Sequence, residues 1–397
     1  MLALDLARFP LQPVLWSLPW IAVPLAIALR ARNSRSLDQE SPLPPSPAPL
    51  ASVIIPARNE ARNIAECLAT VLTSTYPALE IIVVDDHSTD DTRAIATTIA
   101  ATDARVAVIA NPELPPDWFG KQWACQNGAN HTHGDILIFV DADTRLAPDL
   151  ITRSVNGMLR THADLYTVAG RQDMHTFWEK LIQPQIFAVL ASRYGGTESV
   201  NHSPFAADKI ANGQYLMIRH ATYDALDGHA LVRHHVAEDL MLAQRYFRNG
   251  RKTVMTLGRN QLSTRMYTSL RELVAGWGKN IYAAGRDATP FGKVGRMLFP
   301  VTLPYPGIMQ LAPVVVLVLA LLGIAGTGAL IWAAITTAVM LVGWAAVYRF
   351  DDINPLYAVF FPLGAAAYLY ICLSATARGS SVAWKGRRYQ SASAARS

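Results

Sequence analysis

Acidic residues gather where short apolar runs of this chain end. Ser52–Pro56 leads into Pro56-Ala57-Arg58-Asn59-Glu60. Glu80–Val84 leads into Asp85-Asp86-His87-Ser88-Thr89-Asp90, and Ile136–Val140 into Asp141-Ala142-Asp143. Further on, Glu238-Asp239 precedes an apolar-periodic stretch marked by Leu240, Ala243 and Phe247. Each cluster alone has a plain explanation. Asp starts turns, Ser88, Thr89 or Asp90 suits a helix cap, and Glu238 and Asp239 suit the positive end of a helix dipole. Taken together they mean more, because carboxylates converging on one edge repel unless a cation sits among them. An Asp-x-Asp pair at a strand exit offers two oxygens to a hard metal. Mg²⁺ or Mn²⁺ bound by one or two carboxylates completes its shell with substrate phosphates. The chain has no GxxxxGK[ST] loop and no GxGxxG opening a helix, so neither a P-loop nor a dinucleotide site is indicated.

The elements that must position these residues alternate. Strand-like runs fall at 52–56, 80–84, 106–110, 135–140 and 165–169. Between the first two, Ile64, Cys67, Leu68, Val71 and Leu72 mark one face of a helix. Ile95 and Ile99 mark a second helix, and Lys121–Asn130 a third. This order predicts an α/β domain over 51–296 with a mainly parallel sheet and helices on both faces. Ligands of such sheets bind at the carboxyl ends of the strands, where the acidic clusters lie.

Around that domain the composition changes. Apolar residues make up 51% of the chain and charged ones 16%, against about 25% in soluble domains. A wholly soluble or disordered protein is excluded. Residues 9–29 carry no charge and suffice for one helical crossing. Pro13, Pro19 and Pro24 leave a signal peptide as the alternative, but no small-residue cleavage site is evident and Arg30, Arg32 and Arg35 follow. The reading is an N-terminal anchor, then a basic, proline-rich linker at 30–50. The arginines favour the cytoplasmic side. From Met297 to Tyr348 no Asp, Glu, Lys, Arg or His occurs, which fits crossings near 304–325 and 329–348. A third block, Ile353–Ala377, contains Pro355, Pro362 and Gly364, and a basic tail occupies 378–397. Three crossings after a cytoplasmic domain would leave the tail outside, against the positive-inside rule. The conflict is resolved if the third block is re-entrant or a broken hairpin. These clustered cations account for the +5 net charge without a nucleic-acid partner, and no aromatic-basic pattern accompanies them. The three cysteines, Cys67, Cys125 and Cys372, form no CxxC pair, which fits a reducing compartment.

The segments VIIPARNE, IIVVDDHSTDDT and FVDADTRL, in this order and at these spacings, resemble the inverting family 2 glycosyltransferases with a GT-A fold (Rossmann-like). The resemblance covers about residues 51–285. Within that family, GKQWACQNGA (120–129), NGQYLMIRHATYDALDGH (212–229), VAEDLMLA (236–243) and WKGRRY (384–389) are similar to carotenoid (chlorobactene glucosyltransferase-like) and hopanoid-associated membrane members. The resemblance implies a UDP-sugar donor. It puts Asp86 on the uracil, and Pro56, Arg58, Glu60 and Asp85 about the nucleotide. It places Lys121 near the donor, its bland alternative being a surface lysine at a helix start. Asp141 and Asp143 become the Mg²⁺ or Mn²⁺ ligands, with Asp141 also on the ribose side. Asp239 becomes the base that takes a proton from an acceptor hydroxyl as it attacks the anomeric carbon.

One departure bears on the acceptor. Processive members carry Gln-x-x-Arg-Trp after the catalytic aspartate, and this chain has RMYTSLRELVAGWGKN instead. Trp277 and Lys279 lie in the comparable region, to stack on an acceptor and bind phosphate, or, for Trp277, to pack the core. His229 is a third acceptor candidate, with a satisfied loop histidine as its plain alternative. The histidines have no zinc spacing. The expectation is an enzyme of a bacterial-type inner membrane, its domain cytoplasmic, that moves a single hexose, glucose by the resemblance, to a lipid hydroxyl. The apolar C-terminal block supplies the physical reason for a lipid: a carotenoid or other terpenoid, with a hopanoid, ceramide, diacylglycerol or polyprenyl phosphate as alternatives. A non-catalytic membrane scaffold is the rival of another class, opposed by the intact Asp86, Asp141, Asp143 and Asp239.

Overall fold

The computed structural model describes residues 11–287, 289, 292–379, 381–384 and 387–390. The start of the expected anchor at 9–10, and 380, 385, 386 and 391–397 of the tail, lie outside the described residues.

Among the described residues, twelve strands and fourteen α-helices follow one another. The α/β domain is entered through α1 (Leu11–Arg32) and opens with β1 (Ala51–Ala57), α2 (Ile64–Leu72), β2 (Leu79–Asp85), α3 (Thr92–Ala100) and β3 (Val106–Ala110). Next come α4 (Gly120–Ala129), β4 (Ile136–Val140), β5 (Thr144–Leu146), α5 (Leu150–Thr161), β6 (Leu165–Ala169), β7 (Arg171–Gln172), α6 (Phe177–Tyr194) and α7 (Thr197–His202). The domain closes with β8 (Tyr215–Arg219), α8 (His220–Ala225), α9 (Glu238–Arg248), β9 (Thr253–Leu257), β10 (Leu262–Thr264) and α10 (Leu270–Asp287). Beyond it lie α11 (Gly292–Thr302), α12 (Tyr305–Leu321), α13 (Thr327–Phe350), α14 (Phe361–Arg378) and the two-stranded β11 (Ser381–Trp384) and β12 (Arg387–Gln390).

The main sheet has the order β3-β2-β1-β4-β8-β6-β9. Its pairs are parallel except at β8, which runs antiparallel to both β4 and β6. The mainly parallel sheet is thus as the sequence implied; the antiparallel β8 in its centre was not foreseen. Strands β1 and β4 are buried along both faces, which explains their continuous Val/Ile/Phe character. One face packs on α2, α3 and α5 through Val53, Ile55, Ile64, Leu68 and Val155. The other packs on α4 and α9 through Ile54, Phe139, Cys125 and Leu242. Truncating a core side chain such as Ile54 to alanine would cost about 2–5 kcal/mol. The chain crosses from β1 to β2 on one side and later returns to β4 on the other. The crevice at that reversal opens at the carboxyl ends of β1, β2 and β4.

Among the described residues, four stretches are long and apolar enough to cross a membrane: Leu11–Arg32, Gly292–Leu321, Thr327–Phe350 and Pro355–Arg378. Helices α1, α12 and α13 pack side by side, with Trp20 Nε1 donating to Met309 O and Trp344 Nε1 to Gln310 Oε1. The third C-terminal block is not a broken hairpin. It is a 3-10 turn, Pro355–Phe360, leading into the unbroken α14. Its expected breakers do not break it. Pro355 and Pro362 stand at helix starts, where their missing N–H is harmless. Gly364 lies where an added Cβ would meet Gln185 Nε2 and Leu181 O of α6 at 3.0 Å, so it serves close packing.

Candidate active site

The loop after β1 and the loop after β2 are knitted together. Asn59 N–H donates to Ser88 Oγ, Glu60 N–H to Thr92 Oγ1 and Ala61 N–H to Asp90 Oδ2, while Thr89 N–H donates back to Asn59 Oδ1. Arg58 lies across the gap, 2.5 Å from Asp86 O and 3.7 Å from Asp86 Oδ2. Asn111, just past β3, donates to Asp86 Oδ1 at 2.9 Å. Asp86 is thereby fixed with one side toward the crevice. Asn111 carries no motif, and only the strand order beside it could have pointed to it.

Across the crevice, Lys121 opens α4 and Glu238 and Asp239 open α9. A cation at a helix start opposes the dipole, so Lys121 needs other partners. It has two: Asp141 Oδ1 at 2.7 Å and Glu238 Oε1 at 2.8 Å. Burial works against its charge, but these carboxylates hold the Lys121 pKa well above its ordinary value. Burial raises Asp141, with Lys121 pulling the other way. Burial also acts on Glu238, but Lys121 prevails and holds it below its ordinary value.

Asp239 points the other way along the same helix start. Its Oδ2 accepts from Gly213 N–H and its Oδ1 from Leu240 N–H, both at 2.7 Å. Burial and the neighbouring Glu238 carboxylate push it up to about 6, against the pull of Lys121 and the two amides. A carboxylate so placed and poised is suited to accept a proton near neutral pH. Gly213 matters by size: an added Cβ would stand 2.9 Å from Asp239 Oδ2. Glu238 and Gly213 were not singled out from the sequence as site residues. The Asn212-Gly213 turn dipeptide was the available signal.

These groups share one cavity of about 1820 Å³. Pro56, Arg58, Glu60, Asp86, Lys121, Asp141, Asp143, Asp239, Trp277 and Lys279 all line it. Its far wall is apolar and comes from four helices: Ile186 of α6, Phe299 of α11, Pro306 of α12 and Tyr368 of α14, with Leu303 between α11 and α12. Trp277 belongs to the wall between the two ends. It packs edge-on against Phe187 and Tyr267, and its buried indole N–H has no hydrogen-bond partner among the described residues.

Two expected residues are not brought to this cavity. Asp85 is the last residue of β2, and successive strand residues point to opposite faces. Both side chains are buried, but Asp86 lines the cavity and Asp85 does not. His229 is also buried, with Nδ1 2.8 Å from Tyr223 Oη and its ring against Phe139. Burial pushes it down to about 3, so it is a neutral core histidine between α4 and the sheet.

Among the described residues no group of three or more His, Cys, Asp or Glu converges as a closed metal cage. The Asp141–Asp143 pair instead fits a hard cation that draws its remaining oxygens from a phosphorylated ligand. The donors are carboxylates only, and Glu60 and Glu238 add negative charge around Asp141.

Residues 52–226 match the model of glycosyl transferase family 2. This segment is a family 2 glycosyl transferase domain. The chain is 28% identical over 241 residues to a 4,4'-diaponeurosporenoate glycosyltransferase of Staphylococcus haemolyticus, covering 60% of this chain and 62% of the relative. It is 25% identical over 247 residues to the Staphylococcus aureus (strain MRSA252) protein of the same name, with the same coverage. The chain thus spans less than two thirds of the length of these relatives. Among solved structures it is similar to a mannosyltransferase from Pyrobaculum calidifontis in complex with GDP-Man and Mn²⁺. The TM-score is 0.53 at 19% identity, over 92% of this chain and 97% of that one. That likeness is one of fold, and the α/β domain has the GT-A fold.

Proposed function

We propose that the protein is a membrane-bound, inverting, metal-dependent glycosyltransferase that moves one hexose from a UDP-sugar to a hydroxyl of a lipid, of the carotenoid or terpenoid class. The observation that carries this reading is the two-ended cavity, which joins a carboxylate-rich crevice to an apolar wall of four helices. Residues 9–29 act as the anchor, 30–50 as the linker, 51–296 as the catalytic domain, 297–377 as the C-terminal membrane segments and 378–397 as the basic tail. The domain faces the cytoplasm of a bacterial-type inner membrane, where nucleotide sugars are made. The relatives' shared name supports a carotenoid acceptor.

Arg58 and Asp86 hold the nucleotide base and its neighbourhood. Asp141 and Asp143 would hold a divalent cation, which would supply positive charge for the diphosphate leaving group. Lys121 keeps the Asp141 and Glu238 carboxylates apart and ionised beside the diphosphate. The acceptor hydroxyl lies at Asp239, which takes its proton as the oxygen bonds to the anomeric carbon. The bond from that carbon to the diphosphate breaks on the opposite face, which inverts the centre. The apolar wall takes the acceptor's hydrocarbon body and excludes water, so that the lipid hydroxyl is the nucleophile.

The test uses membranes carrying the full chain or its Asp239→Asn variant. They receive UDP-glucose or GDP-mannose, Mg²⁺ or Mn²⁺, and a lipid extract containing hydroxylated carotenoids, hopanoids and glycerolipids. Mass spectrometry should find a lipid heavier by one hexose with the intact protein and UDP-glucose only. A product made from GDP-mannose alone would overturn the donor assignment. A product formed equally by Asp239→Asn would overturn the base.

A further inference from the structure

Helix α14 meets the length and hydropathy requirement for a crossing, yet both of its ends touch the catalytic domain. At the entry, Tyr357 and Phe360 pack on Phe177, the first residue of α6, and Gly364 meets α6 at Leu181 and Gln185. Midway, Tyr368 Oη donates to Leu303 O at the head of α12. At the exit, Ala375 and Arg378 lie against Gly278 of α10, next to the cavity-lining Trp277 and Lys279.

The other three apolar helices behave differently. The carboxyl end of α1 meets the domain, where Gly196 N–H donates to Arg30 O and Glu198 N–H to Asn33 O. The carboxyl end of α13 meets it where Arg259 binds Asp351 and Asp352. The opposite ends of α1 and α13 lie together, with Pro13 beside Gly328. Helix α12 starts at the domain and is joined to α13 through the uncharged turn at 322–326. Three helices therefore run between the domain and a far side.

We infer that α14 does not cross the membrane: it lies along the catalytic domain within the leaflet on that side, and the chain after it returns to the catalytic side. Its inner face is Phe361, Gly364, Ala365, Tyr368, Ile371, Cys372 and Ala375, a regular helical stripe buried on α6, α10 and α12, with Phe361 packed in one cluster with Trp344 and Tyr348 near the carboxyl end of α13. Its outer face carries exposed Leu363, Tyr370 and Leu373. An apolar outer face calls for hydrocarbon, and the acyl chains of the same leaflet that surround α12 and α13 supply it. Charge agrees. Arg30, Arg32, Arg35, Arg349 and Arg378 all fall on the domain side, as positive-inside bias requires.

The inference rests on the membrane reading proposed above, and the experiment separates the two. Cys67, Cys125 and Cys372 are buried, so added cysteines report alone. Thr102→Cys marks the domain, Gly326→Cys the far turn and Ser397→Cys the tail. Right-side-out and inverted vesicles carrying the full chain are treated with a membrane-impermeant maleimide. Thr102→Cys and Gly326→Cys should label in opposite preparations, and Ser397→Cys with Thr102→Cys. Labelling of all three in the same preparation overturns the membrane reading itself. Labelling of Ser397→Cys with Gly326→Cys overturns only the inference. A second measurement places nitroxides at Ala366→Cys and Ala377→Cys, exposed positions on one face separated by about 16 Å of helical rise. Oxygen accessibility should report similar depths. A depth difference above half that rise means a crossing, and low oxygen access at both sites means that a second chain, not lipid, covers the face; either overturns the inference.

Discussion

At one end of the cavity Arg58, Asp86 and Asp141 each stand one residue past a strand. At the other, Ile186, Phe299, Pro306 and Tyr368 come from four helices far apart in sequence. The first end is held by directed bonds: Asn111 to Asp86, Lys121 to Asp141 and Glu238, Gly213 to Asp239. The second is held by packing, with few directed bonds such as Tyr368 Oη to Leu303 O. Chemistry that depends on geometry within tenths of an ångström is built on strand ends. Under the proposed function, recognition that depends on shape falls to helices that pack together at the apolar wall. Changes at the first end should therefore alter rate, and changes at the second should alter which acceptor is taken.

The sharpest way to break this division is Asp239→Asn. Turnover should fall by about 10³, within the range for loss of a general base, while titration calorimetry finds UDP binding unchanged. Retained turnover would mean that the acceptor reacts through a group needing no base, such as a carboxylate. Gly213→Ala is next. The added Cβ would stand 2.9 Å from Asp239 Oδ2, so the carboxylate must shift by a few tenths of an ångström, and the rate should fall about tenfold, less than the roughly 10² of a 1 Å misplacement. Acceptor affinity should hardly change. A loss confined to acceptor KM would blur the two ends.

A third test uses pH. Asp239, pushed up to about 6, must be ionised to accept a proton. The rate should be flat above pH 6 and fall about tenfold per unit below it. Glu238→Gln removes a neighbouring carboxylate that raises Asp239, so the acid limb should move to lower pH. A limb that stays in place would assign it to another group.

The same division explains what could be read in advance. A strand end fixes neighbouring residues within a few positions, so Arg58, Asp86, Asp141 and Asp143 were visible as local motifs. So was the α/β alternation, since each element carries its own periodicity. Asp85 was misread because adjacent strand residues look alike in sequence yet face opposite ways. His229 took its plain alternative, a satisfied histidine, and its partner Tyr223 is set by packing that polarity alone does not reveal. The acceptor wall was not legible residue by residue. Ile186, Phe299 and Tyr368 are ordinary apolar residues until α6, α11 and α14 pack together, and that packing is long-range. Composition gave only its coarse form, an apolar block after the catalytic domain.

The smallest expected effect tests the helical end directly. Phe299 reaches across the cleft to Gly285, where any added Cβ would lie 2.3 Å from its ring, and it packs on Tyr282 with centroids 6.0 Å apart. It also lines the cavity, so part of its surface faces the space proposed for the acceptor. Phe299→Ala removes contact area there and leaves every directed bond at the strand ends untouched. The loss of one aromatic contact should raise acceptor KM about fivefold to tenfold, roughly 1 kcal/mol, within the scale of aromatic packing. Turnover at saturating acceptor and the affinity for UDP should not change. The added space should also favour a bulkier polycyclic acceptor over a slender polyene in direct competition, read by mass spectrometry of the two products. If turnover fell with KM intact, the wall would act on geometry at Asp239, and the two ends of the cavity would be mechanically coupled.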